Sequence, residues 1–243
     1  MGKKLFILTL AVALFAFASC IDYENTFTLN NSGSGTVHIH YWMTADVAGQ
    51  LPKGEGGADP LSEAEITKKY SGEGLTVSNV KVREESTKKE DGTETKYKHV
   101  ELDVSFTHIA KLSNSPEFNL WTFEWNATEE KVTFKAVVKP GTQQNLTEGT
   151  NSYTAIFNFP GNVLTFSENG KFDQAKPKQV VYTIDVFKMN RDGWTLTAES
   201  QLGKPGNPLP ILIIFGVIIL VIIIAIIVGG KKKKGDAPAP AAQ

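Results

Sequence analysis

The chain has 243 residues, with 25 basic and 26 acidic side chains, a formal net charge of −1 and a single cysteine. So even a balance offers no electrostatic footprint for a nucleic-acid partner. One cysteine excludes a disulfide framework, so the fold has to rest on its hydrophobic core.

Lys3 and Lys4 precede the apolar stretch Leu5–Phe17, and Ala18-Ser19 supply small residues after it, the layout of a secretory signal. As a helix, the thirteen residues of that stretch cover about 20 Å, short of the roughly 30 Å hydrocarbon core, so the segment is expected to be removed rather than to span. Residues 16–20, Ala-Phe-Ala-Ser-Cys, resemble a bacterial lipobox, in which the cysteine takes a diacylglyceryl group and becomes the new N-terminus. Phe17 departs from the leucine most often present there, and a merely cleaved signal leaving a free thiol is the alternative. The expectation is a lipoprotein signal peptide over residues 1–19, lipidation at Cys20 and an exported domain over 20–203. Without Lys3, Lys4, Lys231–Lys234 and Asp236, the exported part keeps 19 basic and 25 acidic residues, a net charge of −6.

Within that domain, alternation of apolar and polar residues predominates. Phe27 and Leu29 share one strand face; after Asn30-Asn31-Ser32-Gly33-Ser34-Gly35, Val37, Ile39, Tyr41 and Met43 share another, which predicts a hairpin. Residues 45–60 read as Gly-rich loop. Ser62-Glu63-Ala64-Glu65 has capping-box spacing and predicts a short helix to Tyr70. Leu75 and Val77 begin a strand, Asn79 interrupts the alternation, and Val80 and Val82 resume it. The predicted partner is Lys96–Phe106, across a charged tip containing Asp91-Gly92.

The segment Ser105–Leu112 reads as a strand running into one helical turn. Trp121, Phe123 and Trp125 answer Val132, Phe134, Ala136 and Val138 across a short turn. Further strands are predicted at Tyr153–Phe159, Val163–Phe166, Val180–Phe187 and Trp194–Ala198. Nine or ten strands with two short helices predict an α+β fold, a strongly curved antiparallel sheet or partial barrel carrying the helices.

After the domain, Pro205, Pro208 and Pro210 mark a Pro/Gly hinge over residues 204–210. Ile211–Val228 then carries no charge and no polar side chain, and Lys231–Lys234 follow. Eighteen such residues make about 27 Å of helix, which predicts a transmembrane segment over 211–230. The lysines orient it with a cytoplasmic basic and Pro/Ala tail over 231–243. The expected placement is single-pass in the bacterial cytoplasmic membrane, with the domain outside.

Chemistry is sparse. His38 and His40 share one strand face, as a chelating pair would require, but no third ligand has suitable spacing; the simpler reading is two exposed histidines beside Trp42. His99 and His108 stand alone. The chain lacks Gly-x-Ser-x-Gly, and Glu84-Glu85 and Glu129-Glu130 read as solvated surface. No enzyme activity, metal or cofactor is expected. The aromatic residues carry two readings. Trp121, Phe123, Trp125, Phe134, Phe157 and Tyr182 either fill an ordinary core or line an apolar groove.

The layout as a whole resembles the LppM-type bacterial lipoproteins. The residues that carry the resemblance are the lipobox cysteine, the early hairpin through Gly33-Ser34-Gly35-Thr36-Val37, the segment Phe106–Leu112, Phe157-Asn158-Phe159-Pro160-Gly161-Asn162-Val163 with Glu168-Asn169-Gly170, and the late Trp194 strand ahead of an apolar segment and basic tail. The resemblance implies a domain related in shape to lipid-handling folds and a role at the cell envelope; it carries over no catalytic residue. The expected function is that of a non-catalytic envelope lipoprotein binding a lipid or other apolar ligand at the outer leaflet. The alternative is a scaffold or interaction module with a solid core, its charged Glu84–Lys98 hairpin contacting another envelope protein.

Overall fold

The computed structural model describes residues 21–88, 92, 94–141 and 151–203. The expected signal peptide, Cys20, Asp91, the hinge, the 211–230 segment and the tail lie outside them.

The chain opens with the predicted hairpin, β1 (Ile21–Leu29) and β2 (Gly35–Thr44), paired in register from Ile21 opposite Met43 to Leu29 opposite Gly35. The stretch expected as loop contains a short helix, α1 (Ala45–Gln50), whose first turn is capped by the Thr44 hydroxyl. Helix α2 (Glu63–Tyr70) begins where the capping spacing places it, with the Ser62 hydroxyl accepting from the Glu65 N–H. Then come β3 (Leu75–Lys88) and β4 (Glu94–Phe106), a 3-10 helix over Ile109–Asn114, and β5 (Trp121–Ala127) with β6 (Lys131–Val138). The remaining strands are β7 (Ser152–Asn158), β8 (Val163–Phe166), β9 (Gly170–Phe172), β10 (Gln179–Asp185) and β11 (Trp194–Gln201). The strand predicted to run on to Phe187 instead stops at Asp185. That side chain accepts from the Phe187 N–H at 2.8 Å and starts helix α3 (Val186–Asp192).

The strands form two sheets: seven in the order β3-β4-β2-β1-β7-β10-β9, and four in the order β5-β6-β11-β8. One level of the larger sheet shows how sequence alternation becomes core. Val77, Val104, Val37, Phe27, Phe157, Val180 and Phe172 stand side by side, each from a different strand and each apolar. The smaller sheet offers the matching face. Phe27 meets Phe123 at 6.3 Å between ring centroids, Phe157 meets Phe134 at 4.9 Å, and Tyr182 meets Trp194 at 5.9 Å. Each sheet buries its apolar side against the other, as in a sandwich.

This corrects the expected fold. Strands make up 53% of the described residues, so the domain is mostly β rather than α+β, and neither sheet is closed or strongly curled. The second sheet covers the apolar face, which removes the need for closure. Nor is the larger sheet purely antiparallel: β1 and β7 run parallel, Tyr23 opposite Tyr153 through Thr28 opposite Asn158.

The expected membrane placement is corrected as well. Helices α1, α2 and α3 have 6, 8 and 7 residues, against about 20 for a span. Among the described residues no helix is long and apolar enough to cross a membrane, so the fold gives no support to a single-pass topology.

Candidate functional site

Five of the six residues expected to fill a core or line a groove (Trp121, Phe123, Phe134, Phe157 and Tyr182) lie at the junction of the two sheets, each less than a tenth exposed except that Tyr182 and Phe157 are wholly buried. They touch one another directly. Trp121 stacks on Phe123 at 5.5 Å, Phe157 meets Tyr182 edge-on at 6.0 Å, and Phe27 stacks on Phe157 at 4.5 Å. Ring contacts of this kind occupy the space between the sheets with side chains. The sixth, Trp125, is half-buried at the margin of that junction: it meets Phe134 edge-on at 6.4 Å and reaches over the β1–β2 turn, where its indole N–H donates to the Asn31 carbonyl.

A second group of rings lies toward the start of β1. Tyr23 is 5.5 Å from Tyr41 and 6.1 Å from Tyr153, whose hydroxyl accepts from Asn25 at 2.6 Å. Beside them, Lys69 of α2 pairs with Glu117 at 2.9 Å and lies over the Tyr41 and Tyr70 rings. Burial pushes all four phenols upward, and the Glu117 carboxylate adds to the effect, so none of them ionises near neutral pH.

The polar groups with the most developed geometry lie on the outer face of the larger sheet. Strand alternation puts His38 and His40 there, as expected, and the β2–β4 register brings Asp103 opposite His38, Glu101 opposite His40 and His99 opposite Trp42. His38 Nδ1 and Asp103 are 2.8 Å apart. His40 Nε2 and His99 Nδ1 are 3.1 Å apart, so one ring donates to the other, and Trp42 lies 4.8 Å from the His40 ring. From β3, Arg83 donates to both Glu101 and Glu85. A bulge between Ser78 and Lys81 turns Asn79 to positive φ, and its amide donates to Asp103 at 2.6 Å.

This arrangement fixes the charges. Desolvation lowers the pKa of both His40 and His99, and the Arg83 guanidinium lowers His99 further. Glu101 is held low by Arg83, and Asp103 by Asn79 and then His38. The result is a face of neutral, stacked rings bordered by paired charges. Among the described residues no group of three or more metal-ligating side chains is placed to hold an ion.

The expectation that His99 stands alone is therefore corrected. His99 is the partner of His40, and only the cross-strand register could have revealed it. His108, also expected alone, caps the 3-10 helix, its ring accepting from the Ala110 N–H at 3.3 Å.

No protein-family model matches the chain, and no curated protein matches it. Among solved structures the chain is similar to the NMR structure of the folded domain of LppM from Mycobacterium tuberculosis, at 12% identity and a TM-score of 0.40, over 76% of this chain and 92% of that one. The likeness is distant and concerns the fold alone.

Proposed function

We propose that this chain is a non-catalytic lipoprotein of the bacterial envelope, carried there on a lipid at Cys20, and that its domain works through its surface. Of the two readings open from the sequence, the interaction module is the better supported. The observation that carries it is the direct ring contact of Trp121 with Phe123 and of Phe157 with Phe134 and Tyr182 between the sheets, where an apolar ligand would otherwise have to lie. The outer β2–β4 face, with Trp42, His40 and His99 framed by Arg83, Glu101 and Asp103, has the composition of a protein-binding surface: an aromatic centre with a charged rim.

Native mass spectrometry of the chain purified from bacterial membranes tests both parts. The expected species begins at Cys20, carries a diacylglyceryl group and has no further lipid bound. A stoichiometric non-covalent lipid would restore the ligand-binding reading, and an unmodified Cys20 would remove the lipoprotein reading.

A further inference from the structure

Strands β8 and β9 are the outermost strands of the two sheets on one flank of the sandwich, and the turn Ser167–Gly170 joins them across it. Phe166 stands opposite the buried Ala198, and Phe172 opposite the buried Val180. Both rings therefore hang from the inner faces at the rim, where the interior runs out to solvent. They stack at 5.9 Å, each is 38% exposed, and Leu164 beside them is 49% exposed. Of the four large hydrophobic residues exposed among the described residues, three are in this strip of nine.

Lys171, Lys176 and Lys178 stand exposed around the strip, and none pairs with a carboxylate among the described residues. Three acidic residues lie nearby, Glu168, Asp173 and Glu199; Asp173 is engaged in capping the turn at Ala175, and Glu199, opposite Thr165, is paired with Lys131. Apolar rings with lysines at their margin are the composition of a membrane-contacting surface, in which aliphatic stems follow the rings and ammonium groups stay at headgroup level.

Two observations select a bilayer over a protein partner. The three side chains expose roughly 250 Å², far less than the roughly 800 Å² per partner of a stable interface. With four and three residues, the strands also offer little backbone for adding a partner strand.

We propose that the β8–β9 rim rests on a lipid bilayer, with Leu164, Phe166 and Phe172 in its interfacial layer and Lys171, Lys176 and Lys178 among anionic headgroups. The inference rests on the lipoprotein reading only in that a lipid at Cys20 would keep the domain near a bilayer.

The test uses the full chain, reconstituted into vesicles of phosphatidylcholine with phosphatidylglycerol and carrying an environment-sensitive fluorophore at Thr165→Cys or, on the opposite edge of the larger sheet, at Thr87→Cys. The expected result is a blue-shifted emission at 165 that is lost on adding nitroxide-labelled lipid, with neither change at 87. Phe166→Ser with Phe172→Ser should abolish the difference while the domain still unfolds in one cooperative transition, at a midpoint lowered far less than by Phe157→Ala. Equal quenching at the two positions overturns the proposal. So does a blue shift at 165 that nitroxide lipid leaves untouched, because the rim is then covered by residues 211–228 or by a second copy. An intact mass recorded on the same sample shows whether Cys20 is acylated, so failure of the anchor and failure of the rim are read separately.

Discussion

Asn31 and Gly203, 172 residues apart, hold each other by two hydrogen bonds: the Asn31 amide donates to the Gly203 carbonyl at 2.8 Å, and the Gly203 N–H returns one to Asn31 Oδ1 at 2.9 Å. Asn31 also gives its own carbonyl to Trp125, so the β1–β2 turn gathers the end of the domain and an aromatic residue of the second sheet. The start of β1 lies at the other end of that strand, about 30 Å away for nine residues. The domain therefore receives the chain at one end and releases it at the other.

Asn31→Ala removes both side-chain bonds at an exposed site. The expected loss is about 1–2 kcal/mol, since each exposed bond contributes roughly 0.5–1.5 kcal/mol net. Urea unfolding measures the loss, and hydrogen exchange should show the Gly203 amide opening faster than the core strands. An unchanged exchange rate at Gly203 would mean that the pair does not hold the chain end.

The His40–His99 pair makes stability depend on pH with a defined sign. Both rings have a folded pKa below the ordinary 6.5, chiefly because burial disfavours their charged form. Below that value the unfolded chain binds more protons than the folded one, so stability rises with pH through the window. The contribution is complete above about pH 7 and is lost as pH falls below 6.5. The groups facing the pair are Glu24, Arg83, Glu85 and Glu101. Glu101, held low by Arg83, gives way only at more acidic pH, which separates the two effects. Urea midpoints should drop between pH 7 and pH 5.5, and His40→Asn with His99→Asn should flatten that drop. A parallel drop in the double variant would assign the pH dependence to other groups.

Much of this fold is written in local pattern, and the remainder depends on long-range pairing. The β1–β2 hairpin, the Ser62 cap and the β5–β6 pair follow from residues that touch or nearly touch in sequence. The bulge at Asn79 shows in the sequence as a break in alternation between Val77 and Val80. By contrast, the parallel pairing of β1 with β7 joins Tyr23 to Tyr153, and no local signal reports it. Alternation says that Phe27, Phe134 and Phe157 are turned inward, but not which sheet faces which, and that choice separates a sandwich from a curled sheet. Helix α3 was hidden because Val186 continues the alternation of β10, while the Asp185 cap that ends the strand has no apolar signature. His99 gained its partner only through the β2–β4 register.

Phe157 sits at the middle of the apolar level that crosses the larger sheet and touches Phe27, Phe134, Phe159 and Tyr182. Phe157→Ala is expected to cost about 3–5 kcal/mol, the usual range for a fully buried aromatic residue. Phe166→Ser at the exposed rim should cost far less. Denaturant titration of the two variants side by side checks the contrast. If the interior held a ligand-sized space instead, Phe157→Ala would fall well short of that range.

Gly33 tests how the turn and the second sheet are coupled. Its φ is +77°, a conformation costly for any residue with a Cβ, and a Cβ placed there would meet Trp125 Cδ1 at 2.8 Å. Gly33→Ala should therefore destabilise through two separable causes, backbone strain of about 1–2 kcal/mol and the clash with the indole. Trp125→Ala removes the second cause and leaves the first. In a double-mutant cycle, Gly33→Ala is expected to cost less in the Trp125→Ala background than in the wild type, and the residual cost measures the strain. Equal costs in both backgrounds would mean that the indole moves aside freely, and that Trp125 does not clamp the turn against the second sheet.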